Sequence, residues 1–265
     1  MPEKKKGTRM LNISRIIADT EVMALRDIRR YLRLPQLLIT NIMLNVVLLL
    51  LFNYVFGGAI QTGGVSYIQY FLPGFLAQSV VFGSTQTSVG LSEDLSKGLI
   101  DRFRSLPMAR SAYLSGRVAA DALRYVILIV LMIAVGYLMG FRFQGGAAGA
   151  TGGVFLTVLF GIALTWLGVF IGISVRDTET AQVAGFVWVF PLVFASSLYV
   201  PLETMPGWLQ AFARVNPVTA MVDTMRGLSW GTAYAPALWK TLAWDAAILL
   251  VTIPLSLRRY RQLAR

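Results

Sequence analysis

The chain contains neither cysteine nor histidine. The first absence excludes disulfides and thiol nucleophiles, the second excludes histidine acid–base catalysis, and together they remove the commonest zinc and haem ligands. Charge is also scarce. Only 14% of the 265 residues are Asp, Glu, Lys or Arg, where a soluble domain carries about 25%. With 56% hydrophobic residues and a mean hydropathy of +0.63, the composition is that of a membrane protein. Carboxylates are the scarcer sign, 13 against 24 basic residues, for a net charge of +11. The basic residues are separated by long uncharged segments and form no continuous patch, so nucleic acid is not an expected partner. There is no G-x-x-x-x-G-K-[ST] motif and no Gly-Lys dipeptide at all, hence no P-loop to cradle nucleotide phosphates. This chain is therefore expected to bind no cofactor or metal of its own and to have no catalytic residues.

What is present is a series of apolar segments. Met10 to Arg33 has helical periodicity, with Arg15, Asp19, Arg26, Arg30 and Arg33 on one face and Met10, Ile13, Ile17, Ala24, Ile28 and Tyr31 on the other; this predicts an interfacial amphipathic helix over 10–33. Six spans are expected, at Gln36–Phe56, Tyr67–Leu91, Ser111–Gly140, Val154–Val175, Thr180–Val200 and Ala237–Leu257. A Gly/Ala-rich turn is expected at Gly145–Gly153, and kinks at Pro191 and Pro254. The second span carries Gln78, Ser79, Ser84, Thr85, Gln86, Thr87 and Ser88, so it should face protein or a pathway and not lipid. The third begins with Arg117, Asp121 and Arg124, a charge ladder read either as an anchor at the membrane boundary or as a conformational latch. Gly161, Gly168 and Gly172 in the fourth permit close helix contacts. Between the last two spans, residues 201–230 read as two helices too short to cross: Pro206 opens the first, Asn216 caps the second and Gly227 ends it. Together they predict a re-entrant or interfacial helical hairpin on the extracellular side. Asp245, the one carboxylate well inside a span on the outer side, is expected to pair with Lys240 or Arg226, or to contact a solute.

The densest charge between apolar segments is Ser92–Pro107, SEDLSKGLIDRFRSLP. Its Leu95, Leu99, Phe103 and Leu106 recur at three- and four-residue spacing among Glu93, Asp94, Lys97, Asp101, Arg102 and Arg104. That is an amphipathic helix, bent or divided at Gly98; a solvated loop anchoring two spans is the plainer alternative. Of the 24 basic residues, all but Arg142, Arg214, Arg226 and Lys240 fall on one side of the six-span arrangement. The positive-inside rule then places both termini and this segment in the cytoplasm of a multi-pass plasma-membrane protein.

The run KGLIDRFRSLPMARSAYLSGRVAADALR within Leu91–Arg124 resembles the cytoplasmic region of ABC-2 type exporter permeases, in particular the daunorubicin-resistance-like membrane subunits of bacteria. The run PLETMPGWLQAFARVNPVTAMVDTMRGL resembles the same family's extracellular hairpin, and Phe56-Gly57-Gly58 also matches. The resemblance covers nearly all of the chain as one transmembrane domain, 1–265. It implies six spans, dimerisation with a second copy or a homologous permease, and a separate ATP-binding cassette subunit that carries ATP and Mg. It also makes Ser92–Pro107 the coupling helix that docks into that ATPase, with Glu93, Asp94, Leu95, Leu99, Asp101, Arg102, Phe103 and Arg104 as coupling residues.

The expected role is thus the permease of an ATP-driven exporter for a drug, lipid or other amphipathic solute. Asn41, Asn45, Gln78, Gln86 and Ser197, with Phe186, Trp188 and Phe190, are candidates for lining the pathway, although polar groups equally stitch helices together. An ATP-independent carrier or channel and a lipid-modifying membrane enzyme are the alternative classes; the first would copurify with no ATPase, the second would turn over alone.

The asymmetry of basic residues generates a topology prediction. Single cysteines introduced into this cysteine-free chain at Lys97 and Arg176 should resist membrane-impermeant labelling in intact cells, whereas those at Gln61, Gly146 and Trp208 should react. The opposite pattern at 97 and 61 would sink the arrangement.

Overall fold

The computed structural model describes residues 13–33, 35–60, 64–99 and 111–263. Among them the regular elements are helical. α1 (Ile13–Arg33) is followed almost at once by α2 (Pro35–Leu51), which ends in a π-helical turn, Phe52–Phe56. Proline at the head of α2 suits a helix start, where its missing N–H is not needed. α3 (Tyr67–Ser96) is a single 30-residue helix that swallows the first part of the expected separate amphipathic segment. It ends at Ser96, five residues beyond the expected span, and Gly98, where a bend or division was expected, has a φ of 67° in the left-handed region.

α4 (Ala112–Leu138) and α5 (Gly146–Gly172) follow. The turn expected over Gly145–Gly153 is mostly the first two turns of α5. Its small residues serve packing instead: a Cβ at Gly149 would strike the Leu228 carbonyl, and one at Gly153 the Met225 side chain at 2.9 Å. α6 (Thr178–Phe194) starts on Asp177, whose carboxylate accepts from the Thr180 N–H at 2.7 Å and the Thr180 hydroxyl at 2.9 Å. Those bonds hold the Asp177 carboxyl below its ordinary pKa. α7 (Gly207–Val215) and α8 (Pro217–Trp230) are the two short helices, and α9 (Ala235–Gln262) closes the described fold. Asn216 caps α8 through Val218 N–H at 2.8 Å, as expected. The stop is not Gly227 but Gly231, at φ 68°. Gly227 stays inside the helix because Tyr234 packs where its Cβ would be.

α3 is the axis of the bundle, and most of its residues are buried. Phe71, Leu72, Phe75, Leu76 and Val80 form the core with Tyr125 and Ile129 of α4, Phe160 and Leu164 of α5, and Val218, Met221 and Val222 of α8. Glycines set its closest approach. A Cβ at Gly168 would run into the Ser84 carbonyl and one at Gly172 into that of Ser88, while Ser88 Oγ donates to the Gly168 carbonyl at 2.7 Å. α1 seats on α4 in the same way, because Gly116 leaves room for Met23, Ala24 and the Thr20 carbonyl. The buried side of α1 is therefore Met23, Ala24, Asp27 and Tyr31; Ile17, expected beside Ala24 and Tyr31, stands 61% exposed with Val22 and Leu25.

Four stretches are long and apolar enough to cross a membrane: Ile39–Phe56, Ala112–Leu138, Gly146–Gly172 and Ala235–Gln262. α3 has the length, roughly 45 Å, but its amides, hydroxyls and carboxylates lower its hydropathy. α6 is apolar but has only 17 residues. Pro191 and Pro254 both lie inside continuous helices.

The Gly168 contact is backbone against backbone and leaves no side chain to move aside. Gly168→Ala should cost about 1–3 kcal/mol and lower the midpoint of thermal unfolding in detergent, whereas Gly58→Ala, with nothing within 4 Å of the added carbon, should leave it unchanged.

Candidate functional site

Two adjoining cavities lie against α3. The first, about 490 Å³, is lined by Asn41, Leu44, Asn45 and Leu48 of α2, by Gln78, Ser79, Phe82, Thr85, Gln86 and Val89 of α3, and by Gln182, Phe186 and Phe190 of α6. It contains no ionisable side chain. Its polar groups are anchored: Ser79 Oγ donates to Asn45 Oδ1 at 2.9 Å, Asn45 Nδ2 to the Asn41 carbonyl at 2.9 Å, and Tyr199 OH to Gln78 Oε1 at 2.8 Å. Rings line the remainder. Phe82 stands edge-on to Phe190 at 5.8 Å, Phe186 and Phe190 are 5.5 Å apart, and Phe190 stacks on Phe194 at 5.5 Å. Amides fixed among aromatic faces give a surface for an amphipathic, uncharged body.

Six of the eight residues proposed from sequence as pathway lining, Asn41, Asn45, Gln78, Gln86, Phe186 and Phe190, are brought together here. The other two are not. Trp188 packs against the hydrophobic core, and Ser197 is buried at a polar junction with Asp223 and Arg226. Sequence reasoning missed Gln182 and Phe82; the signal for Gln182 was its spacing of four and eight residues before Phe186 and Phe190.

The second cavity, about 450 Å³, shares Asn41, Leu44 and Gln86 with the first and adds Asp27 and Tyr31 of α1, Gln36 and Thr40 of α2, Gly90 of α3, and Arg117, Asp121 and Arg124 of α4. The expected charge ladder is thus real but buried, and it is tied together by more elements than its own helix. Asp121, 1% exposed, receives Thr87 Oγ1 at 2.7 Å, Tyr31 OH at 3.1 Å and Arg124 Nε at 3.1 Å, and lies 3.7 Å from Arg117 Nε. Arg124 spends its remaining donors on Gln86 Oε1 at 2.7 Å and the Gly83 carbonyl at 3.2 Å. Burial, together with the Asp121 carboxylate, pushes the Tyr31 phenol up to about 12, so it remains a donor throughout the physiological range.

The same network claims part of the segment expected to dock outward. Asp94 is 2% exposed, accepts from Tyr113 OH at 2.7 Å and lies 3.7 Å from Arg117 and 3.9 Å from Arg26. Leu95 packs against the second apolar cluster, around Met23, Leu91 and Tyr113. Both follow the helical turn of α3 inward, Asp94 fully buried and Leu95 half-buried, and so face the bundle and not the outward side expected of them. Glu93 pairs instead with Lys97 at the more exposed end, and Leu99 is half-buried beyond Gly98. Asp101, Arg102, Phe103 and Arg104 lie outside the described residues.

Of the two readings of Asp245, the pairing with Lys240 or Arg226 is not formed. Asp245 is 3% exposed, and neither carboxyl oxygen has a hydrogen-bond partner. Arg226 is occupied elsewhere, over the Tyr70 ring at 3.6 Å and donating to the carbonyls of Tyr70, Ser197 and Leu198 at 2.9–3.1 Å, while Lys240 is exposed.

A helical bundle with long apolar spans, a polar central helix and an amide- and ring-lined groove is a polytopic membrane protein built around an internal polar surface. Its sequence matches the ABC-2 type transporter family over residues 19–230, and the chain belongs to that family. It is 34% identical over 236 residues to the daunorubicin resistance ABC transporter permease protein DrrB1 of Streptomyces coeruleorubidus, covering 89% of this chain and 83% of that protein. It is 27% identical over 243 residues to a Mycobacterium tuberculosis protein named Probable doxorubicin resistance ABC transporter permease protein DrrC, with 91% and 88% covered. The doxorubicin resistance permease DrrB of the same organism is 26% identical over 205 residues, with 75% and 71% covered.

Because Asp121 is shared by two buried guanidiniums, Asp121→Ala should be far more damaging than its size suggests. It strands Arg124 and Arg117 without their common carboxylate, which should cost about 3–5 kcal/mol, seen as a large fall in folded yield and unfolding midpoint. Glu93→Ala, at the exposed end of the same helix, should be nearly silent.

Proposed function

We propose that this chain is the membrane-spanning permease subunit of an ATP-driven exporter, moving a drug, lipid or other amphipathic solute out of the cell. ATP and Mg bind a separate cassette subunit, since this sequence has no P-loop. The observation that carries the reading is the groove between α2, α3 and α6, an uncharged surface of fixed amides and phenylalanines inside a transporter-family bundle. The names of the relatives, which speak of daunorubicin and doxorubicin resistance, support a drug-like cargo over a polysaccharide.

In this reading α2, α3, α4, α5, α6 and α9 are the six spans. α3 and α6 cross despite their polarity or shortness because α3 is enclosed by its neighbours and α6 leans on it through Gly185 and Thr85. α7 and α8 form the re-entrant outer hairpin, supported by the burial of α8 among the cores of α3 and α5. The basic asymmetry supports cytoplasmic termini. Two copies, or this chain and a homologous permease, would face each other with the groove as part of the pathway wall. The segment after Gly98, with Leu99, Asp101, Arg102, Phe103 and Arg104, docks into the ATPase. Closure of the paired ATPases on nucleotide then pushes this segment, and through Ser96 and Asp94 the whole of α3.

The purified chain should hydrolyse no ATP, and export should require coexpression of a cassette ATPase. Phe103→Ala and Leu99→Asp should still insert but retain the ATPase about thirtyfold less well, while Lys97→Ala should be mild. Gln78→Leu or Phe186→Ala should change cargo export with ATPase retention intact, and Val187→Ala, outside the groove, should not. Export by the chain with no ATPase present, or normal export by the groove variants, would refute the assignment.

A further inference from the structure

Arg117 is a buried guanidinium whose donors are unspent. It is 8% exposed, yet among the described residues it makes no hydrogen bond: its two ion-pair contacts, to Asp94 and Asp121, are both 3.7 Å long, and its Nε has no hydrogen-bond partner. Arginine carries five N–H donors, and leaving such a group unsatisfied away from water is costly. Arg124, one helical turn along, satisfies its donors with Asp121, Gln86 and the Gly83 carbonyl. Arg117 instead lies against Gly90, where any Cβ would collide with it, and lines the 450 Å³ cavity.

The cavity's position and charge identify what fits. Its α2 wall, Gln36, Thr40 and Leu44, is exposed, so it opens along α2. The apolar window of that candidate span starts at Ile39, which puts Gln36 and Thr40 at the level where hydrocarbon gives way to headgroups. α1, with Ile17, Val22 and Leu25 exposed, runs beside it. Among the described residues the charged groups around Arg117 cancel: Arg26, Arg117 and Arg124 against Asp27, Asp94 and Asp121. A net anion would find no spare positive charge among these six side chains. A zwitterion leaves the balance untouched while supplying acceptor oxygens to Arg117.

We infer that this cavity is a binding site for the headgroup of a zwitterionic phospholipid, its phosphodiester taken by Arg117 and its ammonium by the Asp27 carboxylate. Arg117 is suited to the phosphate because its planar fork donates to two oxygens at once. The site stands apart from the export reading: it asks only that the chain sit in a bilayer, and it holds or fails by lipid binding whether or not cargo is moved.

The test is native mass spectrometry of the full chain, delipidated in detergent and titrated with phosphatidylethanolamine, phosphatidylglycerol or diacylglycerol. Phosphatidylethanolamine should bind about tenfold more tightly than phosphatidylglycerol, and diacylglycerol should not be retained. Arg117→Gln should lose that affinity. Because it also removes one counter-charge from Asp94 and Asp121 and could unfold, Arg117→Lys is the companion: it keeps the charge but reduces five donors to three, and should bind the lipid at an intermediate level with its unfolding midpoint near wild type. Asp27→Asn should erase the preference for phosphatidylethanolamine over phosphatidylglycerol, a selectivity change that a merely structural role would not produce. Free phosphoethanolamine or inorganic phosphate at equal concentration should not displace the lipid; displacement would overturn the lipid as its source. Equal retention of the three lipids by the wild-type chain, wild-type affinity in folded Arg117→Lys, or wild-type selectivity in folded Asp27→Asn would overturn the site itself.

Discussion

A helix as polar as Tyr67–Ser96 has one tolerable place in a bilayer, which is inside protein. Lipid supplies no hydrogen bonds, so each amide, hydroxyl and carboxylate on it must find a partner among other helices or face a polar cavity. The arrangement of α4, α5, α6 and α8 around α3 follows from that requirement. Where two helices come closest, glycine removes the side chain and a serine bridges the gap, as Ser88 does to the Gly168 carbonyl. Where α3 is not covered by a helix, its polar residues line the groove. The same property that forces enclosure therefore creates the internal surface, and the two cannot be separated by mutation without one changing the other.

The charge cluster extends this logic across three helices. Asp121 is not a local partner for two arginines on its own helix alone; it receives donors from α1, α3 and α4. Any displacement of α3 relative to α1 or α4 must break at least one short, buried contact to a carboxylate, which makes the cluster a natural point of resistance to movement of α3. Buried ion pairs contribute little net stability but are costly to break, a combination that suits a joint between rigid bodies. Arg117 differs from the rest of the cluster in being held by charge alone, and that difference separates a ligand-facing group from a purely cohesive one.

The short helices α7 and α8 follow the same economy. Asn216 caps α8 and also donates to the carbonyls of Leu192 and Ala195, where α6 has ended. Arg226 plays a corresponding part from α8, donating to the carbonyls of Ser197 and Leu198 beyond the end of α6 and to that of Tyr70 in α3. Irregular backbone is tolerated there because polar side chains of a neighbouring helix satisfy it.

The sequence by itself determined the class of protein, its helical character, the cap at Asn216, the break at Gly98 and the close contacts of Gly168 and Gly172. These depend on local composition, spacing and conformational limits, which a linear chain displays in full. It also named most of the groove, because amides in an apolar span are conspicuous wherever they point. What it could not display is which way a given residue faces once helices are packed. That is why Asp94 and Leu95 turned inward from an expected docking face, why Ser197 and Trp188 lie outside the groove, and why Asp245 found neither Lys240 nor Arg226. Asp27 and Tyr31 joined the charge cluster for the same reason: they sit some ninety residues before Asp121, and only the seating of α1 on α4, made possible by Gly116, brings them to it. Burial and partnership belong to the surfaces between helices, and only the tertiary structure decided which surfaces meet.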